Sequence, residues 1–164
     1  METSGRAVKF GDNVDTDVIL PGKYLIYMDP KELAKHAMEG LISNFHEVAV
    51  GGVVIVAGRN FGCGSSREQA PLALKYANVK CVVAESFARI FFRNAINIGL
   101  PVLECPGVAS VVGYGDFVKV NLEEGTVEVP EKKIVMRGVK LPGFILRILG
   151  DGGLVEYIRR EMFL

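Results

Sequence analysis

The residues of this 164-residue chain best suited to chemistry lie in one short stretch, Gly58-Arg-Asn-Phe-Gly-Cys-Gly-Ser-Ser-Arg-Glu-Gln69. Ser65 and Ser66 supply two hydroxyls and Arg67 a planar guanidinium suited to a carboxylate or phosphate. Gly62 and Gly64 let the backbone turn tightly around them. Before the stretch, an apolar run from Val48 to Ala57 contains four consecutive β-branched residues, Val53 to Val56, and reads as a buried strand. After it, Glu68 to Tyr76 has apolar residues Pro71, Leu72, Leu74 and then Ala77 at near-helical spacing, with Pro71 tolerable only in the first turn. A glycine-rich turn feeding a helix presents unpaired backbone N–H groups at the positive end of the helix dipole, so this turn favours an anion.

The same residues also fit a structural use. Ser65-x-x-Glu68 and Ser66-x-x-Gln69 both match the capping box, in which the serine takes an amide and the acid or amide reaches back. Nucleotide motifs match poorly. A Walker A loop needs lysine where Ser65 follows Gly64, and the dinucleotide fingerprint that begins at Gly62-Cys-Gly64 has Arg67 in place of its third glycine. A stand-alone anion- or nucleotide-binding module using this turn stays open on residue types alone. Upstream, Asp12, Asp15 and Asp17 crowd one segment but miss the calcium-loop spacing. Their more economical use is to accept backbone amides in a turn and to orient an arginine, which makes Asp15, Thr16 and Asp17 supporting candidates. His36 and His46 lie on different elements and form a weak metal pair, with surface or capping roles favoured.

The elements that must position these groups alternate. Ala7 to Phe10 reads as a short strand. Asp29 caps a helix with Pro30 at its first position, expected to run to about Met38. Tyr24 to Met28, apolar and short, reads as a loop lining a pocket or interface. Lys80 to Ala84 is a second buried strand. Ser86 is expected to cap a helix through Gly99, on which Arg89 and Arg93 share a face, and Pro101 to Glu104 is a third strand. Strand–helix–strand–helix–strand with short links implies parallel pairing with right-handed crossovers. A hairpin around Glu123-Glu-Gly125, a strand from Ile134 and helices at Phe144–Leu149 and Leu154–Phe163 follow. The expectation is one α/β domain spanning residues 1–164, with a β-rich second half.

Composition narrows the class. With 19 basic and 19 acidic residues, no electrostatic footprint for nucleic acid is present. No apolar run approaches the ~20 residues of a membrane span, and no signal-peptide h-region opens the chain, so a cytoplasmic location is expected. Hydrophobic content of 49% against 23% charged leans towards burial against a partner. Cys63, Cys81 and Cys105 are odd in number, widely spaced and without a C-x-x-C pair. A disulfide framework is not expected, and any metal cofactor must be held mainly by another chain. Cys63, in the glycine turn, is the one thiol placed where it could react.

Three stretches together carry a resemblance: Gly11-Asp-Asn-Val-Asp-Thr-Asp-Val-Ile-Leu-Pro21, Gly58 to Pro71, and Ser86-Phe-Ala-Arg-Ile-Phe-Phe-Arg-Asn-Ala-Ile-Asn-Ile-Gly-Leu-Pro101. They resemble the small subunits of isopropylmalate isomerase and homoaconitase, within the aconitase superfamily, over nearly the whole chain. The resemblance implies the swivelling β/β/α domain, closing over a [4Fe–4S] cluster carried by a separate large subunit. It also implies a hydro-lyase, inactive without that partner, which removes water from a small hydroxy-acid and restores it at the adjacent carbon. Ser65 matches the base of this family, with Gly64, Ser66 and Arg67 binding a substrate carboxylate. Tyr24-Leu-Ile-Tyr27 is similar to the specificity loop, and Ile26 stands where homoaconitase-type loops carry arginine. An apolar Ile26 suits an isopropyl group and leaves a third carboxylate unpaired. Isopropylmalate in leucine biosynthesis is therefore the implied substrate, with homoaconitase activity as the alternative. Gln69 stands where many relatives have histidine, so a proton relay through it is not supported.

Overall fold

The computed structural model describes residues 1–163. Strand β1 (Glu2–Lys9) is followed by three short helices, α1 (Thr16–Ile19), α2 (Pro30–Ala34) and α3 (Phe45–Val48), before β2 (Val53–Ala57) enters the core. The chain then alternates: α4 (Gln69–Tyr76), β3 (Val79–Ala84), α5 (Arg89–Asn97) and β4 (Val102–Glu104). Helix α6 (Val108–Val111) leads to the antiparallel run β5 (Phe117–Asn121), β6 (Thr126–Val129) and β7 (Ile134–Arg137), and then α7 (Gly143–Gly150) and α8 (Leu154–Met162) follow.

The strands form one seven-stranded sheet in the order β4-β3-β2-β1-β5-β6-β7. The β1–β4 half is parallel, as the alternation requires, and β1 pairs antiparallel with β5 on its other side. Every residue of β2 is buried, which is why its β-branched run shows no alternation. The sheet curls on itself. After β7, Gly138 N donates to Gly125 O at 2.7 Å and Val139 N donates to Glu104 O at 2.8 Å, so this segment returns to the end of β4. That contact covers backbone groups an open edge would expose.

Three local expectations are corrected. Helix α4 starts at Gln69 with Glu68 as its N-cap and no side-chain cap bond, so neither Ser65 nor Ser66 caps it. Ser86 does not cap α5 either. Its Oγ accepts from Asn60 N at 2.9 Å, and Ala88 is the uncapped N-cap. Asp29 does cap α2, accepting from Lys31 N at 2.9 Å, but the helix stops at Ala34. Beyond it Met38 N donates to Ile19 O at 2.8 Å, and the fully buried Met38 takes a left-handed φ of 57°. A tertiary bond and an apolar anchor outcompete continuation of the helix there.

Candidate active site

The glycine-rich stretch leaves β2 and runs between two neighbouring segments that hold it by its backbone. On one side Asn13 N donates to Arg59 O (2.8 Å), Gly62 N to Val14 O (2.7 Å) and Thr16 N to Cys63 O (2.9 Å). On the other, Phe61 N donates to Ser86 O (3.1 Å) and Ala88 N to Phe61 O (2.9 Å). Phe61 is fully buried, packing edge-on against Phe91 of α5 at 5.2 Å, which pins the stretch to that helix. Thr16, 3% exposed, donates its hydroxyl to Ser65 O at 2.9 Å. One buried threonine thus holds the carbonyls of both Cys63 and Ser65. Gly62 and Gly64 have φ of 81° and 92°, a region costly for other residues. The result is a rigid ledge on which Ser65 and Ser66 are exposed.

The acidic segment divides its work. Asp12 accepts from Arg59 N at 2.7 Å, and Asp15 caps α1 by accepting from Val18 N at 2.9 Å. Asp17 pairs with Arg67, whose guanidinium also donates to Leu20 O at 3.3 Å. The three carboxylates therefore serve separate local bonds and do not converge as a cation cage. The Arg67 side chain is 16% exposed and Asp17 63%, so the pair is anchored inward while its outer side meets solvent. A guanidinium has five donors, and the Asp17 and Leu20 bonds both use Nη1, which leaves donors able to meet an anion. A β-carbon at Gly22 would sit 3.6 Å from Arg67 Nη2, so the segment leading to Tyr24–Tyr27 begins against this guanidinium. In that segment Tyr24 and Leu25 are half-buried, Tyr27 is exposed, and Ile26 is 78% exposed.

Sequence reasoning places Ser65, Ser66 and Arg67 in one turn with Asp15, Thr16 and Asp17 as supporting candidates. The structure sets Thr16 against the Ser65 backbone and Asp17 against the Arg67 guanidinium, while Asp15 is spent on capping α1. It missed the Thr16–Ser65 bond, the Leu20 carbonyl and the Ser86–Asn60 contact. Local spacing nominates Thr16 but does not say which backbone group its hydroxyl meets. The helix-dipole argument also weakens. Ser65 lies four positions before the first helical residue, and the dipole fades within about one turn. The positive charge this stretch offers an anion is that of the Arg67 guanidinium, which Asp17 also pairs.

The thiols are not arranged to bind iron. Burial, and after it the Asp15 carboxylate, push the Cys63 thiol above its ordinary value, so this half-buried group is not an activated nucleophile. Burial raises Cys81 strongly, and burial with the Glu85 charge pushes Cys105 up to about 11. Iron–sulfur clusters need deprotonated cysteines converging on one point. Here they stand on separate elements, and among the described residues no group of three or more potential ligands converges. The described residues do not fit a cluster.

Comparison with known proteins bears on this site. A family model described as the aconitase C-terminal domain matches residues 43–107, which include β2, the serine ledge, α4, β3, α5 and β4. The 3-isopropylmalate dehydratase small subunit of Halothermothrix orenii is 54% identical over 97% of this chain and 96% of its own length. This chain belongs to the family of 3-isopropylmalate dehydratase small subunits. Its relatives include the isopropylmalate/citramalate isomerase small subunit of Methanocaldococcus jannaschii, 53% identical over 96% of this chain and 94% of the relative. The crystal structure of 3-isopropylmalate dehydratase (leuD) from that organism superposes with a TM-score of 0.93 at 47% identity, covering 99% of this chain and 96% of that one. The expected α/β, aconitase-type domain is thereby established for this small-subunit family member. The segment from Asn13 to Thr16 that clamps the ledge lies outside the residues matched by the family model.

Proposed function

We propose that this chain is the substrate-gripping and base-bearing small subunit of a hydro-lyase that interconverts 2-isopropylmalate and 3-isopropylmalate in leucine biosynthesis. The observation that carries the reading is the ledge itself: an exposed Ser65 on a carbonyl clamped by Thr16, two residues from an arginine oriented by Asp17. Ser65 takes the carbon-bound proton beside a substrate carboxylate on the way to the alkene, and returns it on rehydration. A neutral serine is a poor base, and a neighbouring guanidinium favours its alkoxide while bonding the carboxylate. Arg67 grips that carboxylate through its unused donors, with Ser66 and the backbone at Gly64 completing the contact. A large subunit carrying a [4Fe–4S] cluster would supply the Lewis acid for the departing hydroxyl, since no residue set among the described residues fits that role.

The substrate preference follows from Ile26. The residue is 78% exposed at the segment that begins beside Arg67, an apolar surface suited to a branched alkyl group. A substrate with a third carboxylate would face desolvation with no cation at that position. The isopropylmalate/citramalate relative favours a second reading in which a methyl-bearing hydroxy-diacid is also accepted.

The test is anaerobic co-purification with the large subunit, followed by turnover of isopropylmalate, citramalate and homocitrate. Isopropylmalate is expected to dominate, and a dominant homocitrate rate would overturn the reading of Ile26. Ser65→Ala is expected to abolish turnover while stability changes by no more than ~0.5 kcal/mol, because the hydroxyl caps no helix. Normal turnover in that variant removes Ser65 as the base. Tight calorimetric binding of a nucleotide by the isolated chain would instead support a stand-alone module.

A further inference from the structure

Segment 24–28 is loosely attached by its backbone. Leu25 N donates to Gly22 O and Tyr27 N to Tyr24 O, both local turns, and among the described residues it makes no backbone hydrogen bond to a distant element. What ties it down is its side chains. Leu25 packs on the core. The Tyr24 ring lies face to face with the His36 ring, centroids 3.6 Å apart and planes 8° from parallel. Tyr27 joins the same parallel set, 6.2 Å from Tyr24 and 6.0 Å from His36. His36 is itself fixed, its Nδ1 2.9 Å from Glu39 Oε2. Glu39 also lies 4.0 Å from Lys23 Nζ, and that ammonium sits 4.9 Å from the Tyr24 ring centroid. The Glu39 carboxyl is held below its ordinary value: burial raises it, but hydrogen bonding from Tyr24 and His36 and the His36 and Lys23 charges outweigh that.

We infer that His36, braced by Glu39, is a positioning residue for the Tyr24–Tyr27 segment and thereby sets how tightly the site grips the alkyl group of its substrate. His36 does not touch the reacting atoms. It acts by holding the two tyrosine rings close to parallel, which fixes the course of the chain between them and so the direction in which Ile26 projects. Parallel aromatic contacts orient as well as attract, and preorganising a binding loop lowers the cost of ordering it when substrate arrives. The inference rests on the reading that this segment faces the substrate.

The experiment uses the complex with the large subunit and compares isopropylmalate with citramalate, which carries methyl in place of isopropyl. His36→Ala is expected to raise KM for isopropylmalate by about 3- to 10-fold, the factor that loss of aromatic contacts of this kind corresponds to. Its kcat stays within about twofold, since no interaction peculiar to the transition state is lost. The citramalate KM rises less, so discrimination falls. His36→Phe keeps the ring without the Glu39 bond and restores most of the KM. Glu39→Gln, which loosens the brace, shifts KM in the same direction by less and serves as the second variant should His36→Ala fail to assemble. Unchanged discrimination in His36→Ala overturns the inference, as does a His36→Phe variant as impaired as the alanine one. Ile26→Ala separates the two levels. Altered discrimination there with none at His36 defeats the positioning role alone, and no change at either site defeats the substrate-facing reading as well.

Discussion

Substituting Gly62 by alanine tests whether the serine ledge is held by shape. Gly62 has φ of 81°, and a β-carbon built on it would overlap the ring of Phe91. Phe91 has little room to retreat, being 2% exposed and wedged between Phe61 at 5.2 Å and Phe87 at 6.3 Å. The left-handed backbone alone costs an L-residue about 1–2 kcal/mol. Overpacking a filled core adds about 1–3 kcal/mol, so Gly62→Ala should destabilise by roughly 2–5 kcal/mol. Gly64 is the internal control. Its φ is 92°, but its β-carbon would come no closer than 3.4 Å to Thr16 Oγ1, a contact that can relax. Gly64→Ala should therefore pay little beyond the backbone term, about 1–2 kcal/mol. Urea titrations of the two purified variants and the parent, read at equal m-values, give the comparison directly. Equal costs at the two positions, or a Gly62→Ala cost below ~1 kcal/mol, would refute the claim that close packing on Phe91 fixes the ledge.

Arg67→Lys keeps the charge but loses the planar fork held by Asp17, and kcat/KM should fall by about 10- to 100-fold, the worth of a charge-assisted hydrogen bond, largely through KM in steady-state assays. Asp116 accepts from Gly113 N at 2.7 Å and lies 2.5 Å from Lys132 Nζ, and the Lys132 and Gly113 bonds hold its carboxyl below the ordinary value. Its contribution is then present above the unfolded-chain value near ~4 and lost as pH falls through the folded value. Asp116→Asn should consequently be less stable than the parent at pH 7 and converge with it in acid, as read by denaturant titrations across pH. A thiol reagent near neutral pH should modify one cysteine per native chain, Cys63, and more slowly than a free thiol, because Cys81 and Cys105 are buried and Cys63 is raised. Mass spectrometry after native and denatured labelling counts them.

Some of this protein was written locally. The β-branched run at Val53–Val56, the glycine turn and the helix after it specify a strand, a tight connection and a crossover whatever surrounds them, because backbone preference and burial period act over neighbouring residues. The parallel pairing of β2, β3 and β4, the hairpin at β5 and β6 and the Asp29 cap were legible for that reason, and the motif resemblance pointed to the family. The helix caps assigned to Ser65, Ser66 and Ser86 were not, although each matched a local pattern. A cap requires the helix to begin where the pattern says, and here tertiary bonds drew the chain away first. Ser86 was taken by Asn60, and the Ser65 carbonyl by Thr16.

What only the folded molecule decided is the construction of the ledge and its rim. Residues 49 positions apart, Thr16 and Ser65, share a hydrogen bond because β1 and β2 lie side by side and deliver their following loops to one end of the sheet. The Tyr24–His36 stack arises likewise, from a loop folding back on the turns beyond α2. Local sequence can nominate a serine, an arginine and an apolar loop for a site. Their common orientation depends on contacts between distant segments, and that information exists only once the sheet has brought the segments together.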